Sequence, residues 1–239
     1  MRLERILYQK SHIYFIAFFL LMLAGFWLTY FTKILDQDNY RMHLHGITLI
    51  LWCTLLISQA YLIRIKNYSL HKQTGKLSYI LVPLITFTTV DLYKYRLSEL
   101  TTLSTRDYLF TASVLIALLT FLIFYGLAIY YKGKPTIHAR YMVCTVFAMF
   151  TAVIDRIIGS YFPFLLPYFP DVDVPVIQVV GLTLADILLI ILCIWDWRSH
   201  RRINVFPIAL IIHLIYHYSV LNFYKFEFWK SFSNWFFKL

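Results

Sequence analysis

Two histidines in the apolar stretch PIALIIHLIYHYSVL, His213 and His217, stand four residues apart. In an α-helix this spacing puts both imidazoles on one face, one turn apart, where they can bind the same metal ion. Imidazole nitrogens suit Zn²⁺, Fe²⁺ and Cu²⁺. The pair therefore suggests a metal centre, with interhelical hydrogen bonding as the alternative interpretation.

Further residues could complete this metal site. His43 and His45 enter an apolar run from one side of the predicted membrane domain, and Asp91 lies towards the same side of another run. Together with the pair above, they would bring ligands from three helices to one ion. The corresponding function is a metal-dependent membrane hydrolase, with His45 as a third ligand and Asp91 or Asp155 activating water.

A second pair of histidines lies towards the opposite side. His71 in SLHKQTGK and His138 in KPTIHAR each begin an apolar run. Two neutral imidazoles that face each other across a helical bundle are the ligands that axial ligation of a b-type haem requires. The alternative is that both histidines, like the basic residues around them, only reach lipid headgroups.

Three charged residues, Asp155, Arg156 and Asp186, fall inside apolar runs. A charge near the centre of a bilayer is costly unless it is paired or hydrated, so each of them needs a structural or a functional reason. The functional hypothesis is that they tune charge or move protons beside a cofactor. The structural alternative is that they form ion pairs that hold helices together.

The elements that position these residues are predicted to be membrane helices. Of the 239 residues, 60% are hydrophobic and only 14% are charged, whereas soluble proteins have about a quarter charged. Seven segments reach or approach the roughly 20 apolar residues of a bilayer crossing. We predict an all-α integral membrane protein, one domain with spans near 11–34, 43–64, 76–97, 108–131, 140–162, 175–197 and 206–224.

The distribution of Lys and Arg between the two sides predicts the orientation of the protein in the membrane. The N-terminus and the linkers 64–76, 132–140 and 198–202 carry 13 Lys and Arg, against 8 on the other side. By the positive-inside rule the N-terminus is predicted to be cytoplasmic and the C-terminus to lie on the other side. The net charge is +10, and the basic residues that produce it form short runs next to the predicted spans. This position favours anionic lipid headgroups over nucleic acid as partners.

The tail, residues 225–239, has aromatic residues at helical spacing and polar residues on another face. This pattern predicts an amphipathic helix at the membrane interface, with its aromatic side chains as anchors.

Several motifs carry a resemblance. H-x-H-G is followed by Trp52, Gln59 and a linker that ends L-H-K-x-x-G, and K-P-x-x-H-x-R opens a later helix. In these motifs the chain resembles, from Met42 onward, an uncharacterised family of bacterial multi-pass membrane proteins. The resemblance implies a shared seven-helix bundle without a settled activity. The chain departs from the pattern at His213 and His217.

Two weaker resemblances bear on cofactors. The H-G that opens one helix and the histidine that opens the next are similar to cytochrome b561-type haem proteins. Because the span 108–131 has no histidine, this resemblance implies at most one haem, at His71 and His138. The H-x-x-x-H of the last span resembles seven-helix zinc hydrolases that act on lipid amides.

The leading hypothesis is therefore a protein with a His-ligated cofactor, haem b or one transition metal, that serves redox chemistry or its assembly. Its rivals are the membrane hydrolase and a non-catalytic subunit or small-molecule carrier with a membrane-protein partner.

Overall fold

A computed structural model describes residues 3–168, 176–200 and 204–238, and the regular elements in these ranges are all helices. The α-helices are α1 Leu3–Gln9, α2 Ser11–Trp27, α3 Tyr40–Arg64, α4 Tyr68–Gly75, α5 Ser78–Ser98, α6 Thr105–Tyr130, α7 Pro135–Cys144, α8 Phe147–Tyr161, α9 Val176–His200, α10 Phe206–Asn222 and α11 Glu227–Lys238. Short 3-10 turns follow α2, α8 and α10. Position 175 of the predicted sixth span, Arg201 and Arg202 of the basic linker, and Leu239 lie outside the described residues.

Six helical segments within the described ranges are long and apolar enough to cross a membrane: Tyr40–Arg64, Tyr68–Ser98, Thr105–Tyr130, Pro135–Tyr161, Ile177–Ser199 and Phe206–Lys225. The predicted all-α, multi-pass membrane character is confirmed at this level. The segment predicted as the first span is apolar but shorter, because α2 ends at Trp27 after 17 residues instead of continuing to 34. The chain turns there, and the Tyr30 hydroxyl reaches His43 at the start of α3.

Two spans begin earlier than the apolar pattern predicts. The Asn67 side chain accepts a hydrogen bond from the backbone N–H of Leu70 and caps α4. Pro135 occupies the first turn of α7, where its missing N–H costs nothing. His71 and His138 therefore lie inside helices, and each short helix is followed by a longer one after a break of two residues.

Contacts define two ends of the bundle. At the N-terminal end, which carries α1, the backbone N–H of Leu3 donates to Ser199 Oγ (3.3 Å) and Arg64 donates to His12 Nε2 (2.7 Å). At the C-terminal end, which carries α11, the indole N–H of Trp229 donates to the carbonyl oxygen of Tyr108 (2.9 Å). The two ends of the described chain thus lie at opposite ends of the bundle.

The surface between these ends is apolar. Trp52, Phe124 and Phe206 are completely buried in the core, whereas other large apolar side chains of the long helices face outward. Phe87, for example, is 64% exposed and Ile211 59%. An apolar surface of this extent is unfavourable in water and favourable against lipid chains.

Helix α8 is approached closely from two sides. A Cβ on Gly25 of α2 would lie 2.9 Å from the carbonyl oxygen of Val153, and a Cβ on Gly181 of α9 would lie 2.8 Å from Asp155 Oδ1. Small residues at such positions let membrane helices approach one another closely. The position of Asp155 is therefore determined by its contact with α9.

Candidate functional site: two pairs of histidines

Asp186 on α9 joins the two histidines of α10. One carboxylate oxygen accepts a hydrogen bond from Nδ1 of His213 and the other accepts from Nδ1 of His217, each at 2.6 Å. His213 is completely buried and Asp186 is only 7% exposed. Because an ionised carboxylate can only accept hydrogen bonds, each imidazole carries a proton on Nδ1.

The remaining nitrogen of each ring is available for binding. The Nε2 atoms of His213 and His217 are buried, and neither has a hydrogen-bond partner among the described residues. A neutral imidazole with its proton on Nδ1 has a lone pair on Nε2. Metal-ligating histidines have this pattern, in which one nitrogen donates to a carboxylate and the other binds the metal.

Tyr216 connects this cluster to two other helices. Its ring meets the His213 ring edge to face, with the centroids 5.4 Å apart. The buried phenol lies close to the side chains of Ser113 on α6 and Thr151 on α8, and to the carboxylate of Asp155. Asp155 Oδ1 and Thr151 Oγ1 are buried without a hydrogen-bond partner in the described part of the chain. A group of polar side chains thus lies between α6, α8, α9 and α10.

Arg156, the neighbour of Asp155, faces another helix. Its guanidinium donates to the carbonyl oxygen of Ala152 (3.1 Å) and lies over the ring of Phe26 on α2, 4.3 Å from the centroid. Asp155 instead faces Gly181 on α9. The two consecutive charges are therefore placed on different sides of α8.

His71 and His138 lie side by side at the N-terminal end of the bundle. Their ring centroids are 6.5 Å apart, and the ring planes are nearly perpendicular at 83°. Nδ1 of His138 donates to the carbonyl oxygen of Ala128 at 2.7 Å, which leaves the lone pair on Nε2. Nδ1 of His71 is buried and has no hydrogen-bond partner among the residues described.

Polar contacts near the histidine pair connect α4 and the helix that follows it to the rest of the bundle. The Gln59 amide on α3 donates to Thr74 Oγ1 on α4 at 2.7 Å. The hydroxyls of Ser78 on α5 and Tyr125 on α6 are 2.9 Å apart. These bonds connect α3 to α4 and α5 to α6 near the histidine pair.

The other predicted ligands lie at the C-terminal end. His43 Nε2 donates to the carbonyl oxygen of Gln37, and its Nδ1 accepts from the Tyr30 hydroxyl, both at 2.8 Å. Asp91 forms an ion pair with Arg41 at 3.1 Å. Both nitrogens of His43 and the carboxylate of Asp91 thus have protein partners of their own.

His45 lies between α3 and α5, with Nδ1 3.5 Å from Thr89 Oγ1. Within the described ranges, no group of three or more His, Cys, Asp or Glu side chains is arranged to hold a metal ion. The structure thus brings together Asp186, His213 and His217, and separately His71 and His138. It does not assemble the larger predicted cluster with His43, His45 and Asp91.

Sequence reasoning missed one buried ion pair. Arg140 on α7 donates to both carboxylate oxygens of Asp196 on α9, at 2.9 and 2.6 Å, and each side chain is 3% exposed. The signal was an acidic residue between two tryptophans, IWDW, in an apolar run. It also missed Tyr216, whose importance depends on which helices surround it.

Comparisons with known proteins add no relative. No protein family, no curated protein and no solved structure matches the chain.

Proposed function

We propose that this protein binds haem b between His71 and His138 and uses it in one-electron redox chemistry or in the assembly of a redox enzyme. The observation that carries the proposal is the distance between the two imidazole rings, 6.5 Å from centroid to centroid. An imidazole nitrogen binds a transition metal at about 2.0–2.1 Å, so two imidazoles on opposite sides of one ion have centroids roughly 6–6.5 Å apart. Perpendicular ring planes are compatible with such a pair, because both planes contain the same axis.

The donor set favours haem over a bare ion at this position. His71 and His138 come from two different helices with ring centroids 6.5 Å apart, and a porphyrin would provide four further nitrogens for an ion held between them. Nδ1 of His71, which has no hydrogen-bond partner among the described residues, and the lone pair on Nε2 of His138 are electron-pair donors that such a group would use. When bound, haem supplies one-electron transfer.

The chain's own residues orient the ligands. The carbonyl oxygen of Ala128 holds the proton of His138 on Nδ1 and so fixes the tautomer of the ring. The first turn of α7, started by Pro135, places that ring against His71.

We further propose a seven-crossing topology in the bacterial inner membrane, with the N-terminus cytoplasmic and α11 at the outer interface. Support comes from the excess of Lys and Arg beside the N-terminal end. It also comes from α2, which contacts Arg64 at one end of α3 through His12 and lies next to Tyr30, the partner of His43, at the other. Exposed Phe228 and Trp235 on α11 suit an interface. Lipids and a redox-enzyme subunit are the expected partners, and the shared motifs support membership in the uncharacterised bacterial family.

The test is a visible absorption spectrum of the detergent-purified protein, expressed in a host supplied with haem. We expect a Soret band and, after dithionite reduction, sharp α and β bands of a six-coordinate haem. His71→Ala and His138→Ala should each abolish this low-spin spectrum, because each removes one axial ligand.

His43→Gln is the matched control, since both nitrogens of that histidine already have protein partners. It should retain the wild-type bands. A protein that folds, as judged by gel filtration, and shows no Soret band would overturn the proposal. A spectrum that survives both alanine substitutions would place the haem elsewhere.

A further inference from the structure

We propose that His213 and His217 bind one divalent transition-metal ion, Zn²⁺ or Cu²⁺, through their Nε2 atoms, at a site separate from the His71–His138 pair. Both nitrogens are buried and have no hydrogen-bond partner within the described ranges. Buried polar atoms in folded proteins are nearly always satisfied. Two histidines one helical turn apart that both carry such an atom indicate a shared ligand that accepts electron pairs.

The protonation of the two rings identifies the class of ligand. Each Nδ1–H is committed to Asp186 at 2.6 Å, so each Nε2 offers a lone pair and no proton. Two lone pairs on imidazoles match an imidazole-preferring metal ion, such as Zn²⁺ or Cu²⁺. They do not match Mg²⁺ or Ca²⁺, which take oxygen ligands.

The charge of the cluster also calls for a cation. Asp186 contributes one negative charge, and two neutral imidazoles contribute none. In the described part of the chain, the side chains that contact this carboxylate are the same two imidazoles, which donate hydrogen bonds but bring no charge. A net negative charge is costly in apolar surroundings. A divalent ion with one anionic ligand, such as hydroxide, makes the assembly neutral.

Asp186 acts as the positioning residue of the site. It does not touch the ion, but its two oxygens fix the tautomer and the orientation of both rings at once. The Leu182 and Leu189 side chains, one turn to either side on α9, are completely buried, which holds the helix face that carries the carboxylate.

Two protein ligands on one helix leave the other coordination positions open. An open position is what distinguishes a metal site that binds water or a small anion from a closed structural one. The hydroxyls of Tyr216 and Thr151 and the carboxylate of Asp155 lie on the adjoining faces of α8 and α10.

The experiment uses the full-length protein in detergent, stripped with a chelator and then titrated with Cu²⁺. We expect one tightly bound equivalent, with nitrogen couplings from two imidazoles in its electron paramagnetic resonance spectrum, and competition by Zn²⁺. His213→Gln and His217→Gln should each lose this signal. Asp186→Asn should retain two nitrogens but bind about 10–100-fold more weakly, the usual effect of removing such a carboxylate.

His43→Gln serves as the control and should bind Cu²⁺ as the wild type does. Gel filtration and thermal unfolding of each variant identify any that fail to fold. The electron paramagnetic resonance spectrum of the wild-type protein tests the site without any variant, because it shows how many nitrogen atoms bind the Cu²⁺ ion. The inference is overturned if the wild type binds no Cu²⁺, if both glutamine variants bind it normally, or if the signal is lost in His138→Gln instead. Since the haem proposal rests on other residues, either can fail without the other.

Discussion

Arg140 and Asp196 show how the protein accommodates full charges near the end of its apolar region. The guanidinium makes two parallel hydrogen bonds to the carboxylate, and a third bond to the carbonyl oxygen of Thr136. Such bidentate pairs are directional as well as attractive. The pair therefore fixes the rotation of α7 relative to α9, and with it the direction in which His138 projects.

Removing one partner of this pair should destabilise the protein strongly. Asp196→Leu or Arg140→Met removes one half of this buried ion pair, which typically costs about 3–5 kcal/mol. The double variant removes both charges and should lose less stability than either single variant. Thermal unfolding in detergent, followed by circular dichroism, measures all three. If the double variant lost the sum of the two single effects, the two side chains would contribute independently and the coupling argued here would be wrong.

At the level of single residues, the sequence indicated which side chains could do chemistry but only part of how they meet. The four-residue spacing placed His213 and His217 on one face because spacing alone decides that. Their partner Asp186 is 27 and 31 residues away. The contact of Asp186 with the two histidines depends on how α9 and α10 are rotated about their axes and shifted along them. Neither quantity can be obtained from the composition of either helix.

Among the helices, α8 is held between α2 and α9 at two glycine contacts. Gly181 brings α9 so close that its missing side chain makes room for Asp155 and Thr151. Sequence patterns predicted α8 as part of a span from 140 to 162, but not its separation from α7 at residues 145 and 146. The hydrophobic pattern continues through that break, so it contains no signal for a change of direction.

Gly181→Ala should push α8 and α9 apart. The new Cβ would lie 2.8 Å from Asp155 Oδ1 and 3.2 Å from the Cα of Thr151, and backbone cannot move away as a flexible side chain can. Overpacking of this kind costs about 1–3 kcal/mol. A lower melting temperature in detergent, together with weaker Cu²⁺ binding at the adjoining His213–His217 site, is the expected result.

Gly126→Ala is the matched control, because its new Cβ would meet nothing within 4 Å in the described part of the chain. Replacing a glycine inside a helix by alanine there should be neutral or stabilising by up to about 1 kcal/mol. Equal losses of stability in the two variants would show that the close contact at Gly181 is not what holds α8 and α9 together.

For the molecule as a whole, the number of crossings decides on which sides of the membrane the two ends lie. Six helical segments of the described chain are long enough to cross, and α2 is shorter, with 17 residues or about 26 Å. The apolar core of a bilayer is about 30 Å thick. Yet α2 contacts both ends of α3, through His12 to Arg64 and, just beyond Trp27, through Tyr30 to His43. Together with the turn that follows it, α2 therefore covers the same depth as α3.

Reporter fusions distinguish seven crossings from six. With seven, a green fluorescent protein at the N-terminus should fluoresce in the cytoplasm, and alkaline phosphatase fused after the last residue should be active in the periplasm. With six, both ends would lie on one side and only one type of reporter would work at both. A fluorescent C-terminal fusion would contradict the proposed topology, and it would also place α11 on the cytoplasmic side. That result would leave the contacts of Trp229 with α6 unchanged, because they depend on the bundle and not on its orientation.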